Sequence, residues 1–527
     1  MARGARAGPA RRAPRGRAAR PRRVPRAPRG AGRPGGRGPL QRRGSAVSAP
    51  VAFAGRTAAR ATRWSAVSVF GRQLAQVLFA VVLARIIGPE EFGLVSAATV
   101  YATLTALLLD QGLSAALVQR RDLPEGAGRA VATLNVVVAL VLGGLTWVLA
   151  PALADFFSAP ELSLAFRVLG AGLVLKALAV APRALLSRAL DFRPVAVGDV
   201  AGAVCGVAVG LGAAFSGAGY TSVLAQVLTT DAVVAAVLLV AARGPLPGAS
   251  LGPLRVLLPF SARVFGANAV AYFSRNTDNV LVGKVLGLEA LAQYAMAYRV
   301  LVIPVQLLGQ TVKRTLFPAF SRMADDPPAV ARALVAGTEL VALLAVPVMA
   351  LVACAAPEAV DLVLGPAWAP AAPVMTVLAL AGARETVFYI TPSLVSALGR
   401  AGTTLRLELV STGVQVVGIV AGLPFGILGV AVGYATAGLL MTPVFLAVQR
   451  RVTGVTVGAQ LRALAPAATA AAAGSVAYLA VAAALTGTVV TLAAGSLVFV
   501  VVALAALRVV HPAAAKRATA RLREVAR

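Results

Sequence analysis

The sequence has 527 residues, of which 58% are hydrophobic and 13% are charged, and its mean hydropathy is +0.81. Soluble proteins are about 45–50% apolar and about 25% charged, so this composition excludes an ordinary soluble domain and indicates a polytopic membrane protein. The formal net charge is +30, with one histidine and two cysteines, a content that excludes zinc chemistry and histidine-based catalysis and predicts no metal site and no cofactor.

The chain begins with a basic segment. Residues 1–63 carry eighteen arginines and no acidic residue, among many Pro, Ala and Gly residues. Such a composition forms no hydrophobic core, so we predict a disordered cytoplasmic tail without the apolar core of a signal peptide. A basic tail suits anionic lipid or nucleic acid, but it can also lack a specific role, and we predict no nucleic-acid partner.

Apolar segments follow the tail almost to the end of the chain. A membrane-spanning helix needs about 20 apolar residues, and by this criterion we predict an all-α protein with about 14 transmembrane helices. The predicted spans are residues 65–87, 93–118, 130–150, 162–181, 195–215, 220–242, 256–283, 289–312, 331–354, 372–397, 403–421, 426–448, 463–484 and 489–508.

The charges in the loops test this count independently, because Lys and Arg favour cytoplasmic loops. With the N-terminus inside, the predicted external loops contain only Arg85 and Lys284 as basic residues. A wrong count of spans would place basic residues in the predicted external loops later in the chain. Instead, the alternation between basic cytoplasmic loops and external loops with few basic residues persists to the basic tail at 511–527. We therefore predict a multi-pass protein of the cell membrane with both termini in the cytoplasm.

Two short motifs recur at one spacing. Residues 85–90 (RIIGPE) correspond to 284–289 (KVLGLE), 199 residues later, and 108–111 (LLDQ) correspond to 307–310 (LLGQ) at the same offset. This pattern indicates an internal duplication, and the six spans between the copies predict two parallel six-helix lobes. The predicted divisions are the N-lobe at 64–245, the C-lobe at 246–450, two C-terminal helices at 451–510 and the basic cytoplasmic tail at 511–527.

Polar residues inside the first, seventh and eighth spans form the candidate binding site. Such groups are costly in hydrocarbon, so they line cavities or pair with one another. We predict a central cavity lined by Arg72, Gln76, Asn268, Tyr272, Arg275, Asn279, Arg299 and Gln306. Arginine bonds two phosphate oxygens at once, and amides and tyrosine suit sugar hydroxyls, so the predicted ligand is an anionic, sugar-bearing headgroup. The alternative is that the charges pair locally, as Arg275 and Asp278 can at a spacing of three residues.

Acidic residues inside the spans are candidates for a coupling proton or sodium ion. We select Asp231, Asp110 and Asp278, with Asp231 first because it lies near the middle of its span. The alternative is a purely structural role. Lys176 and the pair Arg384 and Glu385 also lie inside spans, at roughly corresponding positions of the two lobes.

Four stretches resemble the polysaccharide flippases of the multidrug/oligosaccharidyl-lipid/polysaccharide exporter superfamily. They are residues 84–93 (ARIIGPEEFG), 110–120 (DQGLSAALVQR), 276–284 (NTDNVLVGK) and 317–322 (FPAFSR). The sequence is most similar to the O-antigen, colanic-acid and teichuronic-acid exporter branch. The resemblance implies a V-shaped fold with alternating access, and the transfer of a lipid-linked oligosaccharide, usually on undecaprenyl pyrophosphate, for surface polysaccharide biosynthesis.

We therefore expect a flippase rather than an enzyme. Its expected partners are a polyprenyl-linked glycan, membrane lipids and polysaccharide biosynthesis enzymes. Two other functions stay open. A drug or cation antiporter of the same fold would have an acidic, aromatic cavity, which the excess of arginine opposes. A membrane glycosyltransferase or polysaccharide polymerase would have a large external loop or clustered catalytic acids, and the sequence contains neither.

Overall fold

The computed structural model describes residues 48–120, 122–243, 247–248 and 251–526, and these residues form helices and short connections without a strand. Most of the predicted tail at 1–63 lies outside the described residues. The helices are α1 (Ser48–Asp110), α2 (Leu113–Gln119), α3 (Ala127–Phe156), α4 (Leu162–Arg188), α5 (Phe192–Phe215), α6 (Thr221–Ala241), α7 (Leu254–Val285), α8 (Leu288–Arg322), α9 (Pro327–Val363), α10 (Ala371–Phe388), α11 (Ile390–Ala397), α12 (Ala401–Gly422), α13 (Gly426–Thr453), α14 (Val457–Ala484), α15 (Thr488–Val510) and α16 (Pro512–Ala526), with 3-10 turns at Pro366–Trp368 and Leu423–Phe425. The packing reported below is that of the compact unit Gly55–Arg527.

The membrane spans agree with the predicted class of protein. Among the described residues, ten helices are long and apolar enough to cross a membrane, and α7 is an eleventh if its two segments, bent by 50°, form one span. Two of the ten each correspond to two predicted spans: Gly402–Thr453 contains 403–421 and 426–448, and Gly71–Asp110 overlaps 65–87 and 93–118. The predicted span 289–312 coincides with α8, which is not among these candidates. An all-α polytopic membrane protein is thus confirmed, whereas about 14 spans and the predicted lobe boundaries stay predictions.

The duplicated motif has the same backbone geometry in both copies. Gly88 divides α1 into two helices, with φ 74° and ψ 178°. Gly287 precedes α8 with φ 92° and ψ 173°. A positive φ with extended ψ is a conformation that glycine adopts without the steric penalty of a Cβ atom. The two glycines occupy equivalent positions of the predicted repeat, so the structure supports the duplication.

Residues of both sequence copies meet near the break of α1 at Gly88 and the C-terminal end of α9, on the predicted external side, in a region that we call the outer contact. The indole Nε1 of Trp368 donates a hydrogen bond to the backbone oxygen of Ala84 at 3.1 Å. The Trp368 ring meets the edge of Phe92, with ring centroids 5.4 Å apart. Arg85 Nη1 donates to the backbone oxygen of Leu362 at 2.5 Å. The outer contact therefore combines buried aromatic packing with hydrogen bonds to backbone oxygens.

A second region, which we call the inner contact, joins α2 to the start of α7. Leu113 and Leu257 are buried in one apolar cluster. Arg120 Nη1 donates a hydrogen bond to the backbone oxygen of Val256 at 2.9 Å. The predicted topology places these residues at the cytoplasmic side of the membrane. The two copies are thus in contact near both predicted membrane surfaces.

The predicted C-terminal tail contains the amphipathic helix α16, which follows the last span. Arg517 on α16 forms an ion pair with Glu339 on α9, with Nη2 and Oε1 2.6 Å apart. The hydrogen bond to Glu339 raises the pKa of the Arg517 guanidinium above its ordinary value. Ala514 is buried. α16 is therefore attached to the helical body by an ion pair and by apolar contact.

Candidate functional site

A cavity of about 1710 Å³ lies among α1, α6, α7, α8 and α10 to α13. Pockets for drug-sized ligands measure about 300–1,000 Å³, so this cavity is large enough for a bigger headgroup. The polar and charged residues of its wall include Gln73, Gln76, Arg275, Asn276, Asn279, Tyr298, Arg299, Arg384, Glu385, Glu408, Gln415 and Tyr434. Among the described residues of the wall, three arginines face two glutamates, which gives the cavity a net positive charge.

Four of the eight predicted site residues line this cavity. They are Gln76 from α1, Arg275 and Asn279 from α7, and Arg299 from α8. Arg275 begins the second segment of the bent helix α7. The guanidinium carbon of Arg299 lies 5.6 Å from the centroid of the Phe92 ring, a cation–π contact. The structure therefore brings together predicted residues from the two copies of the repeat.

Arg72 is not among the residues of the cavity wall and lies within electrostatic reach of Asp199 on α5. Asp199 is buried and accepts hydrogen bonds from Ser68 and from both terminal nitrogens of Arg183. A carboxylate bound on several sides holds α1, α4 and α5 together. In the structure Arg72 thus belongs to the surroundings of a buried ion pair.

The other three predicted residues have different surroundings. Tyr272 is buried, and its hydroxyl donates a hydrogen bond to the backbone oxygen of Val100 at 2.9 Å. Asn268 is exposed on α7 and is not part of the cavity wall. The side chain of Gln306 lies outside the described residues. The structure therefore gives Tyr272 a contact between helices rather than a place in the cavity wall.

The three predicted coupling acids also differ in their surroundings. Asp231 on α6 forms an ion pair with Lys176 on α4, with Oδ2 and Nζ 3.6 Å apart. Asp110 accepts a hydrogen bond from Ser114 across the break between α1 and α2. Asp278 is buried, and among the described ion pairs none joins it to Arg275. Arg275 therefore faces the cavity without the local pairing that its spacing from Asp278 allows.

Asp278 is instead one end of a chain of tyrosines, which we call the tyrosine chain. Tyr294 donates a hydrogen bond to Asp278 Oδ2 at 3.1 Å and stacks on Tyr298, with ring centroids 6.0 Å apart. Tyr298 meets the edge of Tyr434 at 6.2 Å, and Tyr434 donates a hydrogen bond to Glu385 Oε2 at 2.8 Å. The chain joins a buried carboxylate to one in the cavity wall. Its members come from four helices, so sequence spacing did not reveal it.

Among the described residues, no group of three or more His, Cys, Asp or Glu side chains is placed so that it could hold a metal ion. The two carboxylates of the tyrosine chain are joined through phenol groups rather than placed side by side.

A family model described as "Polysaccharide biosynthesis protein" matches residues 82–373. The succinoglycan biosynthesis transport protein ExoT of Rhizobium meliloti (strain 1021) is 29% identical over 326 residues, which are 62% of this chain and 66% of that protein. The lipopolysaccharide biosynthesis protein WzxC of Escherichia coli (strain K12) is 25% identical over 390 residues, 72% of this chain and 78% of that protein. The teichuronic acid biosynthesis protein TuaB of Bacillus subtilis (strain 168) is 24% identical over 355 residues, 64% and 71% of the two chains.

Solved structures with the same fold include the lipid II flippase MurJ in an inward closed conformation. Its TM-score is 0.70 at 13% sequence identity, over 86% of this chain and 99% of that chain. An inward-facing multidrug resistance MATE family transporter of the MOP superfamily gives a TM-score of 0.60 at 16% identity, over 73% of this chain and 95% of that chain. The chain therefore shares the fold of these two proteins.

Proposed function

This chain belongs to the family of polysaccharide biosynthesis proteins, and from that membership we propose that it is a flippase for a lipid-linked oligosaccharide. The substrate is a glycan carried on a polyprenyl diphosphate, and it crosses the cytoplasmic membrane by alternating access. The observation that carries the proposal is the cavity of about 1710 Å³ with arginines in its wall. The relatives are named for succinoglycan, lipopolysaccharide and teichuronic acid biosynthesis, which supports a glycan as cargo.

The cavity provides the hydrogen-bond partners and the charge compensation that a polar headgroup loses when it leaves water. Charges and hydroxyls are costly in hydrocarbon unless the protein supplies partners. Arg275 and Arg299 compensate the negative charge of the diphosphate, and Gln76 and Asn279 bond sugar hydroxyls. The polyprenyl tail needs no such partner and stays in the lipid. Binding is therefore divided between a polar cavity and the apolar membrane.

Alternating access requires that the two contact regions open in turn. Opening of the inner contact admits the headgroup from the cytoplasmic leaflet, and opening of the outer contact releases it to the external leaflet. Because each region joins helices from both copies of the repeat, a rocking motion between the copies separates one region while it closes the other. Enzymes that assemble and polymerise the glycan are the proposed partners on the two sides.

The tyrosine chain is the proposed site of ion coupling. Asp278 is the predicted coupling acid that the chain connects to the cavity wall, through Tyr294, Tyr298 and Tyr434 to Glu385. Uptake of a proton or a cation there would alter the charge next to the bound headgroup. This proposal replaces Asp231 as first choice, because Asp231 is already paired with a lysine.

An antiporter of drugs or cations is the second candidate, and one observation favours it. Glu385 and Glu408 line the cavity together with Tyr298 and Tyr434, and carboxylates and aromatic rings bind organic cations. The three arginines of the same wall repel such a ligand, so the flippase is the better-supported function.

The experiment that tests the flippase follows the leaflet location of the lipid-linked oligosaccharide in a strain that lacks this protein. An external glycan-cleaving reagent reports exposure. We expect the intermediate to accumulate inside, the wild type to restore exposure, and Arg275→Ala to restore about one tenth or less, since a charged hydrogen bond contributes about 1.5–3 kcal/mol. Arg462→Ala, which removes an exposed arginine outside the cavity wall, is the matched control.

If the lipid-linked oligosaccharide is exposed normally without the protein, in a strain with no second flippase, the protein does not transport this class of substrate. That result would favour the antiporter. Full activity of well-expressed Arg275→Ala would instead show that Arg275 is not needed for binding, and it would not contradict the flippase function. The two results are distinguishable because the first concerns the deletion strain and the second concerns a variant.

A further inference from the structure

Arg384 on α10 is an arginine of the cavity wall that the predicted site did not contain. Its Nε donates a hydrogen bond to Thr442 Oγ1 on α13 at 3.1 Å. Thr442 in turn donates its hydroxyl hydrogen to the backbone oxygen of Gly438 at 3.1 Å. Because a hydroxyl has one hydrogen, the Thr442 oxygen presents a lone pair to Arg384. The Nε edge of the guanidinium is therefore held in place.

Two aromatic rings fix the guanidinium further. Its central carbon lies 5.1 Å from the ring centroid of Phe388 and 5.1 Å from that of Phe445. The rings are tilted against each other by 58°, with centroids 5.9 Å apart. Cation–π contacts of this kind orient a guanidinium without neutralising its charge. The group is thus held by a hydroxyl and two rings, none of which is an anion.

The terminal nitrogen Nη2 of Arg384 is buried and has no hydrogen-bond partner among the described residues. Arg384 also takes part in none of the described ion pairs. Glu385, the next residue, attracts it electrostatically, but Glu385 Oε2 accepts a hydrogen bond from Tyr434. A buried cationic donor without a partner is costly in a membrane protein, and an anionic ligand removes that cost.

From this geometry we infer that Arg384 binds the diphosphate of the lipid-linked substrate, an inference that rests on the proposed function. With Nε bound to Thr442, the remaining edge of the guanidinium carries the two terminal nitrogens, the donors left to bond two phosphate oxygens. The rings and Thr442 hold this edge before the ligand arrives, so little side-chain entropy is lost on binding. Arg384 is therefore a preorganised phosphate receptor in the wall of the cavity.

The test measures binding of short isoprenoids to the purified full chain in detergent by calorimetry. The probes are farnesyl diphosphate and farnesol, which share a tail and differ in the anionic group. We expect the wild type to prefer the diphosphate, and Arg384→Gln to lower that preference about tenfold or more. Arg384→Lys retains the positive charge but lacks the paired donors of the guanidinium, and Thr442→Val removes the hydroxyl that accepts from Nε. We expect both variants to lose less of the preference for the diphosphate than Arg384→Gln does. Arg462→Gln, which removes a positive charge elsewhere, leaves the preference unchanged.

The outcomes separate this inference from the proposed function. A wild type without preference for the diphosphate overturns both. A wild type with the preference, and a folded Arg384→Gln variant that keeps it, overturns only the role of Arg384. If Arg384→Gln does not fold, unchanged preference in both Arg384→Lys and Thr442→Val overturns that role. If binding of glucuronate depends on Arg384 as strongly as binding of the diphosphate does, Arg384 binds a sugar carboxylate instead. That result also overturns the inference.

Discussion

Arg85 and Lys284 occupy equivalent positions of the repeat, and each is held by the end of a helix from the other copy. Arg85 donates to the backbone oxygens of Leu362 and Val363 at the end of α9. Lys284 Nζ lies 4.9 Å from the ring centroid of Phe156 at the end of α3. Backbone oxygens at a helix C-terminus carry partial negative charge and attract cations. These contacts give a physical reason for the two basic residues on the predicted external side, Arg85 in α1 and Lys284 in α7.

Arg85→Gln should loosen the outer contact, because a neutral amide cannot replace the charged hydrogen bonds to α9. The reporter is Ser96→Cys, at a buried position of the cavity wall, in a chain whose Cys205 and Cys354 are replaced by alanine. We expect a membrane-impermeant thiol reagent added outside to react about threefold to tenfold faster in the Arg85→Gln chain. Equal rates in the two chains would show that Arg85 does not hold the outer contact closed.

Among the elements, α12 and α13 show how closely two spans can pack. Gly418 faces the backbone oxygen of Gly433, and Gly422 faces that of Gly429, so a Cβ at Gly418 or Gly422 would overlap the opposite helix. Each helix thus carries two glycines four residues apart, the pattern known for close helix packing in membranes. Hydropathy alone predicts two spans at 403–421 and 426–448, and the glycine pattern in the same sequence indicates that they pack closely.

Two glycine-to-alanine substitutions on α12 should have opposite effects. Gly418→Ala forces α12 and α13 apart and should lower the free energy of unfolding by about 1–3 kcal/mol. Gly413→Ala adds the same methyl group to the same helix, where nothing lies within 4 Å. It should raise stability by up to about 1 kcal/mol, since alanine favours a helix. Thermal unfolding in detergent measures both, and a Gly418→Ala chain as stable as Gly413→Ala would contradict the close packing.

For the whole molecule, the sequence predicts the helical membrane fold better than it predicts the site. Arg275 and Arg299 could be identified because they are isolated cations in apolar spans, and both line the cavity. Arg72 has the same signature, yet Asp199, from another helix, lies within electrostatic reach of it. Arg384 was visible in its span, but Thr442, which holds it, comes from α13. Hydropathy and periodicity determine where helices form, whereas the partners of a buried charge depend on tertiary packing.

The arginines of the cavity are fixed to helices, and this has an electrical consequence for transport. They compensate the charge of the headgroup inside the protein but do not leave with it, so each cycle moves net negative charge outward. A membrane potential that is negative inside favours that movement by about 2.3 kcal/mol per charge per 100 mV. In proteoliposomes, an imposed potential of this sign should therefore speed the transfer of a farnesyl diphosphate-linked sugar several-fold, and the reversed potential should slow it. A rate that does not depend on the potential would show that the charge is compensated by a co-transported cation.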